Sequence, residues 1–198
     1  LGLVGCGDGK GEGRAQESGD AKGSPDAGSS AEQSGTPGDG DGEMRLTFTP
    51  PEGWQVVDDP SPTMLLSTYL PLAEGHPFAE RLYLAWGRTS MLAEATLDGF
   101  AKLTMDGVRQ YGAGVEVVSE QTARIGELEV REILFTCSEY GGMAQPYKMK
   151  KWLVVAHGGY YDLTAQALQS TWDSHEATFE AAARTLRWVP APDERTGE

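Results

Sequence analysis

The sequence is poor in the residue types that build covalent or metal-bound frameworks. Its 198 residues include two cysteines and three histidines. Cys6 and Cys137 are too few for a disulfide framework. The histidines, His76, His157 and His175, belong to no spacing such as H-x-x-x-H that gives a metal two ligands from one element. We therefore expect no metal ion and no cofactor. A composite site built from the three histidines is the alternative to three partly exposed side chains.

Aromatic residues and long apolar runs are missing from parts of the chain. Residues 1–44 contain no Phe, Trp, Tyr or His, and they hold 13 of the 26 glycines. Such a segment buries too little apolar surface to offset the entropy of ordering, so we predict a disordered linker over residues 7–44. The aromatic residues begin at Phe48, which predicts one domain over residues 45–190 and a flexible tail at 191–198. No stretch of the domain approaches the roughly 18 uninterrupted apolar residues of a membrane-spanning helix.

The chain is acidic in both parts, with a formal net charge of −14. Residues 1–44 carry three basic residues against nine acidic ones, so they contribute −6 and the remainder contributes −8. An acidic surface repels nucleic-acid phosphates and anionic lipid headgroups, which excludes both as direct ligands. We expect a monomer whose acidity keeps a secreted protein in solution.

The first residues resemble a targeting signal rather than part of a folded domain. Leu3-Val4-Gly5-Cys6 resembles the lipobox of bacterial lipoproteins. The resemblance implies that residues 1–6 are the remnant of a lipoprotein signal peptide with its lipobox, that diacylglycerol is attached to the Cys6 thiol, and that cleavage just before Cys6 makes it the first mature residue. It also implies an envelope location, at the outer membrane or its periplasmic face, because no Asp directly follows Cys6. The alternative is an accidental cysteine; the polar linker that follows favours the lipobox.

The domain begins with strand patterns and then changes to a helical one. Alternation at Leu46 and Phe48, a Pro-Pro-Glu-Gly turn and Trp54 predict a hairpin-like start. Branched and aromatic residues predict strands at Met64–Leu70 and Arg81–Trp86. Between Leu92 and Tyr111 apolar residues recur at three- and four-residue spacing, which predicts an amphipathic helix with one buried face. The residues of that face are Leu97, Phe100, Thr104, Val108 and Tyr111.

A second run of strands and a final helix complete the pattern. We predict strands at Val115–Ile125, Leu128–Cys137, Tyr147–Ala156 and Tyr160–Ala167, with glycine-bearing turns between them. The run Trp152–Ala156 is apolar on both faces, as in a central strand, whereas Lys148, Lys150 and Lys151 are predicted to mark an end in water. A last helix should begin near Ser170 or Thr171. Its predicted core side comprises Trp172, Glu176, Phe179, Ala183 and Leu186.

The order ββββαββββα predicts an α+β fold, with an antiparallel sheet flanked by helices. The segments FTPPEGW, YYDLTAQA and FEAAARTLRWV, with Pro51, Gly53 and Trp54 as the most specific match, resemble the PsbP-like family of bacterial lipoproteins and related secreted domains. The resemblance covers about residues 46–189 and lies in order and pattern. It implies a PsbP-like sandwich but no particular activity, because proteins of this fold have unrelated roles.

No motif of the domain predicts catalysis. G-x-S-x-G, the P-loop and G-x-G-x-x-G do not occur there. Cys137 lies in an apolar strand pattern, where a free cysteine usually packs as a small hydrophobe; a reactive thiol is the alternative. The acidic pairs Asp58-Asp59 and Glu127-Glu129 are predicted to be solvated loops rather than calcium ligands. We therefore expect no enzyme and no catalytic residues.

The aromatic residues of the late strands allow two interpretations. They are Tyr140, Tyr147, Trp152, Tyr160 and Tyr161. Neighbours in a strand face opposite ways, so one of Tyr160 and Tyr161 is predicted to point outward. Core packing is favoured, and a ligand or partner surface is the alternative.

These observations lead to one hypothesis with two alternatives. The first is a non-catalytic accessory module, anchored to the membrane through a lipid on Cys6, that binds an envelope protein. The second is a small-molecule or lipid carrier with a pocket between sheet and helix. The third is an envelope hydrolase with a scattered site, for which the sequence offers no positive feature.

Overall fold

The alternating segments of the sequence form an antiparallel sheet in the computed structural model, which describes residues 44–57, 63–71 and 80–190. The strands are β1 (Met44–Thr47), β2 (Gln55–Val56), β3 (Met64–Tyr69), β4 (Arg81–Arg88), β5 (Gly112–Ala113), β6 (Glu116–Ile125), β7 (Leu128–Cys137), β8 (Glu139–Tyr140), β9 (Tyr147–Ala156), β10 (Gly159–Leu168) and β11 (Arg187–Pro190). The helices are α1 (Leu97–Tyr111) and α2 (Trp172–Ala183), and a short 3₁₀ turn spans Thr89–Met91. All described residues belong to one unit that spans Asp39–Glu198.

The main sheet has seven strands in the order β2-β3-β4-β10-β9-β7-β6, and every neighbouring pair is antiparallel. Two small ribbons, β1-β11 and β5-β8, stand beside it. The α+β class, with an antiparallel sheet flanked by helices, is therefore confirmed. The four long strands predicted after α1 are confirmed as β6, β7, β9 and β10, and β11 adds a strand after α2.

The predicted hairpin at the start of the domain is wrong. β1 pairs with β11, in a register that sets Leu46 opposite Trp188. β2 instead pairs with β3. The intervening turn takes the left-handed conformation at Gly53, with φ +78°, and carries the chain away from β1. Local alternation identified a strand at Leu46, but its partner lies at the other end of the domain.

The helix α1 begins five residues later than the periodicity at Leu92 suggested. Thr96 caps it, because its hydroxyl accepts a hydrogen bond from the amide of Gly99 at 3.0 Å. The buried face consists of Phe100, Ala101, Met105 and Val108. Tyr111, predicted on that face, is 65% exposed.

The two helices lie on opposite faces of the sheet. Along β9, Met149 and Leu153 pack in the cluster that contains the buried side of α1. Trp152 and Val154, which alternate with them, pack in the cluster that contains Phe179 of α2. A strand covered on both faces is apolar on both, which accounts for the run Trp152–Ala156. Neither of the two described helices has the length and apolar composition needed to cross a membrane.

Candidate functional site

A buried row of polar side chains crosses the α1 face of the sheet. The register places Tyr83 of β4 opposite Thr164 of β10, and Thr164 opposite Lys151 of β9. Thr164 is fully buried and Lys151 is 5% exposed. Side chains opposite one another on antiparallel strands are in contact distance, so the fold brings together residues separated by up to 81 positions along the chain.

The centre of this row is a closed hydrogen-bonded triangle. Lys151 Nζ donates to Oδ2 of Asp162 and to the hydroxyl of Thr164, each at 2.7 Å. The Thr164 hydroxyl in turn donates to the other carboxylate oxygen of Asp162 at 2.7 Å. Burial disfavours the ammonium ion, but the carboxylate of Asp162 together with the phenols of Tyr83 and Tyr140 outweighs burial and raises the pKa of Lys151 to about 12. Lys151 is therefore a permanent cation at neutral pH, neutralised by Asp162.

A phenol and a thiol on the same side of the sheet are held in their neutral forms. Burial raises the pKa of the Tyr140 phenol, and the nearby Tyr83 and Asp162 raise it further despite the opposing charge of Lys151. Burial also raises the pKa of the Cys137 thiol, which is 2% exposed. A thiol becomes nucleophilic as its thiolate, so a raised pKa makes Cys137 inert. The arrangement can donate hydrogen bonds and hold charge, but it supplies no activated nucleophile at neutral pH.

On the opposite face two lysines fasten α2 to the sheet. Lys148 Nζ lies 3.7 Å from the carboxylate of Asp173, and 5.4 Å from the centre of the Trp172 ring. Lys150 pairs with Glu180 of α2, and with Glu132 of β7 at 3.0 Å. These contacts place both lysines between the sheet and the helix.

The prediction that Lys148, Lys150 and Lys151 mark a strand end in water is therefore wrong. Their side chains are 20%, 13% and 6% exposed. Their aliphatic stems lie on the sheet, while carboxylates from neighbouring elements receive the charges. The sequence does contain a sign of this pairing. Lys151 directly precedes the apolar run Trp152–Ala156, and Asp162 interrupts the next apolar segment. Both charges therefore lie where a buried strand is predicted. Sequence alone did not give the register that pairs them.

The carboxylate of Glu132 is the acidic counterpart of Lys150. Burial opposes its ionisation, but hydrogen bonds from Gln121 and Lys150 outweigh burial and lower the pKa of Glu132. Burial likewise opposes the ammonium ion of Lys150, whereas Glu180 and Glu132 raise its pKa overall. The pair is ionised at neutral pH and links β7, β9 and α2.

A second small cluster joins β4 to the start of α2. The Thr171 hydroxyl donates to Oε1 of Glu80 at 2.8 Å, and Nε2 of His175 lies 3.8 Å from the same oxygen. Glu80 is buried. A nucleophilic triad needs the hydroxyl bonded to the histidine, but here the hydroxyl bonds to the carboxylate. The cluster orients the first turn of α2 against the sheet.

The histidines do not converge within the part of the chain that is described. His157 and Gly158 form the turn between β9 and β10, both with positive φ, and the His157 ring packs edge-on against Trp188 at 4.5 Å. His175 lies on α2 beside Glu80. No group of three His, Cys, Asp or Glu side chains able to hold a metal occurs among residues 44–57, 63–71 and 80–190.

Other candidate residues are exposed or lie outside the described ranges. Glu127 is exposed in the turn between β6 and β7, as predicted for a solvated loop, whereas Glu129 is exposed but lies in β7, opposite Arg124. Cys6, His76 and the pair Asp58-Asp59 lie outside the residues that the structure describes.

The predicted aromatic residues pack mainly in the interior. Tyr147, Trp152 and Tyr161 are buried. Tyr160 is half-buried on the other side of β10, where its ring contacts Phe100 of α1 with ring centres 4.6 Å apart. Neighbouring residues do face opposite sides, but the outward side is covered by α1. The favoured interpretation as core residues is confirmed for the three buried side chains.

Three large apolar side chains that are exposed lie on α1 or near its end, while the others among the described residues are Val56, Met91, Val117 and Val118. Leu103 is 52% exposed and lies about two turns before Tyr111 on the same helix. Met143 is 45% exposed and follows Gly141, whose amide donates to the carbonyl oxygen of Tyr111 at 3.2 Å. We call Leu103, Tyr111 and Met143 the α1 patch. The sequence pattern missed it because Tyr111 fits the spacing of the buried face.

Open grooves border the two helices and a nearby loop in the described part of the chain. One, of about 410 Å³, lies between the loop Thr49–Glu52 and the outer side of α2, and is lined mainly by apolar atoms of prolines and alanines. Another, of about 350 Å³, lies between α1 and β6 and is lined by charged side chains, including Lys102, Arg109 and Arg131. A third, of about 510 Å³, is bordered by Gln145, Pro146 and residues 168–170.

No protein-family model and no curated protein sequence matches the chain. Among solved structures it is similar to LpqN, described as involved in cell envelope biogenesis of Mycobacterium tuberculosis, with 14% identity over 76% of this chain and 86% of that one and a TM-score of 0.50. It is also similar to the Ran-binding protein Mog1p of Saccharomyces cerevisiae, with 11% identity over 74% and 95% and a TM-score of 0.51. Cyanobacterial PsbP of Synechocystis aligns with 14% identity over 79% and 99% and a TM-score of 0.49. The first two likenesses establish a shared fold.

Proposed function

We propose that this chain is a lipid-anchored envelope protein whose α+β domain is a non-catalytic accessory module that binds another protein. The anchor rests on the sequence Leu3-Val4-Gly5-Cys6 and on the polar linker composition that follows it. A diacylglycerol group on a cysteine holds a protein stably at a membrane, because two acyl chains bind far more strongly than one. The domain would then work at the membrane surface.

The observation that carries the partner proposal is the α1 patch. Tyr and Met are enriched at protein interfaces, where large side chains bury much area. Leu103 and Tyr111 of α1, and Met143 in the loop after β8, expose about half of their surface or more, whereas Phe100, Ala101, Met105 and Val108 of the same helix are buried. Acidic Asp106 and basic Arg109 lie on the same helix, 3.6 Å apart, and supply a polar rim. An apolar centre with a polar rim fits a protein surface better than a small molecule.

The buried charges support an accessory role rather than catalysis. Lys151 and Asp162 neutralise each other, and Lys150 pairs with two carboxylates. These groups connect strands and fasten α2, which are structural tasks. The involvement of the mycobacterial protein LpqN in cell envelope biogenesis is compatible with this proposal but is a property of that protein.

The anchor is tested by expressing the gene with its native start in a bacterial host, with and without Cys6→Ala. We expect a lipid-sized increase in intact mass and recovery in the membrane fraction, both abolished by Cys6→Ala. An unmodified product in the aqueous fraction would refute the anchor without affecting the partner proposal.

The partner surface is tested by placing a photo-crosslinking residue at Tyr111 in envelope preparations. The matched control places it at Ala177, an exposed position on α2, which packs on the other face of the sheet. We expect one dominant crosslinked protein from Tyr111, absent from Ala177 and reduced at least several-fold by Leu103→Glu. Equal crosslinking from both positions, or none from Tyr111, would contradict a protein-binding role for the α1 patch.

The alternative function, a carrier of a small molecule or lipid, is favoured by the apolar groove beside α2. Trp54 packs edge-on against Phe179 at 5.8 Å and holds the Pro50-Pro51 loop against that helix. The charged groove between α1 and β6 suits a lipid chain poorly. Native mass spectrometry of the purified chain distinguishes the functions: a bound molecule lost on Ala181→Trp would support the carrier.

A further inference from the structure

The strand β6 leaves one edge of the main sheet unpaired among the described residues. It is the last strand in the order, spans ten residues and pairs only with β7. All of its residues but Ala123 and Ile125 are exposed. An open edge of this length presents a row of free N–H and C=O groups that can pair with another strand.

The turn between β6 and β7 determines which backbone groups point outward. Ile125 is opposite Leu128 across a two-residue turn, and Gly126 has φ +59°. Such a turn closes with hydrogen bonds between the two flanking residues. In an antiparallel ladder, hydrogen-bonded residues alternate with residues whose groups point away. The outward N–H and C=O groups therefore belong to Glu120, Thr122 and Arg124.

These three residues are self-complementary in charge. If two copies of β6 pair antiparallel about a two-fold axis at Thr122, Glu120 of each lies opposite Arg124 of the other. Like charges do not meet, and opposite charges across a strand pair are favourable. Arg124 forms no ion pair within 4.0 Å among the described residues, although Glu129 of β7 is opposite it. Glu120 lies 3.7 Å from Arg131, which also contacts Asp98.

We propose that β6 is a homotypic docking edge, which pairs with β6 of a second copy of this chain and joins two sheets into one. The flat part of the strand, from Ser119 to Ile125, supplies the pairing. A β-bulge at Val117 and Val118 ends it, because the register with β7 shifts there. An interface of this length falls below the roughly 1,000 Å² typical of stable complexes, so association depends on concentration. The monomer expected from the sequence is then the form that the chain takes at low concentration.

The proposal does not depend on the lipid or on another protein, so it is tested on the full chain carrying Cys6→Ala, which forms neither a lipid anchor nor a Cys6 disulfide. Thr122→Pro removes one outward N–H and leaves the ladder to β7 intact. Ala123→Pro is the matched control, because its N–H points toward β7. In sedimentation velocity we expect concentration-dependent dimers that Thr122→Pro weakens at least ten-fold without lowering the urea midpoint. Ala123→Pro should lower that midpoint.

A charge exchange identifies the register. Glu120→Arg and Arg124→Glu should each weaken dimerisation several-fold, because each sets like charges opposite one another, and the double variant should restore it. A chain that stays monomeric at millimolar concentration overturns the proposal and leaves the edge to an extended segment of another protein. A dimer insensitive to Thr122→Pro, or a double variant weaker than both single ones, also overturns it.

Discussion

Lys151 and Asp162 form the ion pair at the centre of the α1 face, with Nζ and Oδ2 2.7 Å apart. The pair joins β9 to β10, and Thr164 completes its hydrogen bonds. Two charges withdrawn from water are tolerated only when each is neutralised and hydrogen-bonded. The triangle satisfies that condition. Removing one member of the ion pair should therefore lower the free energy of unfolding more than removing both charges.

Replacing one partner of the pair should destabilise the domain strongly. Lys151→Met leaves the carboxylate of Asp162 without its cation in a half-buried position, and we expect a loss of about 3 kcal/mol in the free energy of unfolding. The double variant Lys151→Met, Asp162→Asn should recover at least half of that loss. Urea denaturation measures both. A double variant as unstable as the sum of the single ones would show that the two residues act independently.

The same pair predicts a loss of stability at alkaline pH. The pKa of Lys151 rises from 10.5 to about 12 in the folded chain. A raised lysine pKa stabilises the fold fully below the unfolded pKa, and this contribution disappears as pH rises through the folded one. The shift corresponds to about 2 kcal/mol. The stability advantage of the native chain over Lys151→Met, Asp162→Asn should therefore shrink as pH rises from below 10.5 through about 12, by about 2 kcal/mol in all. A constant difference across this range would contradict the assignment.

Cys137 should react with thiol reagents only when the domain opens. Its thiol is 2% exposed and burial raises its pKa, so the nucleophilic thiolate is scarce and shielded. In the Cys6→Ala chain at neutral pH, we expect the rate of labelling to follow global unfolding in urea. A fast reaction in native buffer would instead restore the reactive-cysteine alternative.

Much of the sheet follows from alternation and turn chemistry. The four long strands after α1 were predicted within one residue, because glycine turns at Gly126 and Gly158 separate two pairs of them and a helical pattern follows the last. Pairing over long distance was not predictable. Leu46 gives no sign that its partner is Trp188, and the hairpin expected from nearby residues was wrong.

The candidate site was harder to predict for the same reason. Lys151 and Asp162 are eleven positions apart, and their contact depends on the register of β9 and β10, which is set by the two-residue turn at His157 and Gly158. A lysine in a strand pattern predicts a solvent-exposed position, but here a carboxylate from the next strand neutralises Lys151. Charges in apolar strand patterns are better evaluated in pairs across a predicted hairpin.

The ring of Tyr160 on β10 limits the size of the side chain that position 87 on β4 can hold. Gly87 and Tyr160 are opposite one another in the β4–β10 register, and a Cβ at Gly87 would lie 2.2 Å from the Tyr160 ring. We expect Gly87→Ala to cost about 2 kcal/mol, because the ring must move away from Phe100. In a Tyr160→Ala background the same change should cost less than about 0.5 kcal/mol, a coupling measurable in a double-mutant cycle. Additive costs would show that Gly87 is required for its backbone alone.

Two other glycines should respond to alanine in opposite directions. Gly107 lies within α1, and a Cβ there would meet no atom within 4 Å. Because alanine favours a helix by about 1 kcal/mol over glycine, Gly107→Ala should stabilise the domain by about that amount. Gly126 also has open space around it, but its φ of +59° is left-handed. An alanine there is strained by roughly 1 to 2 kcal/mol.

The comparison separates the effect of backbone conformation from the effect of available space, since an added Cβ would cause no steric clash at either position. Urea denaturation of Gly107→Ala and Gly126→Ala, each against the native chain, gives the two signs directly. If Gly126→Ala proved neutral, the turn would not need the left-handed conformation, and the alternation that assigns outward groups to Glu120, Thr122 and Arg124 would lose its basis. If Gly107→Ala left stability raised but reduced crosslinking from Tyr111, the open surface at Gly107 would belong to the contact of the α1 patch with its partner.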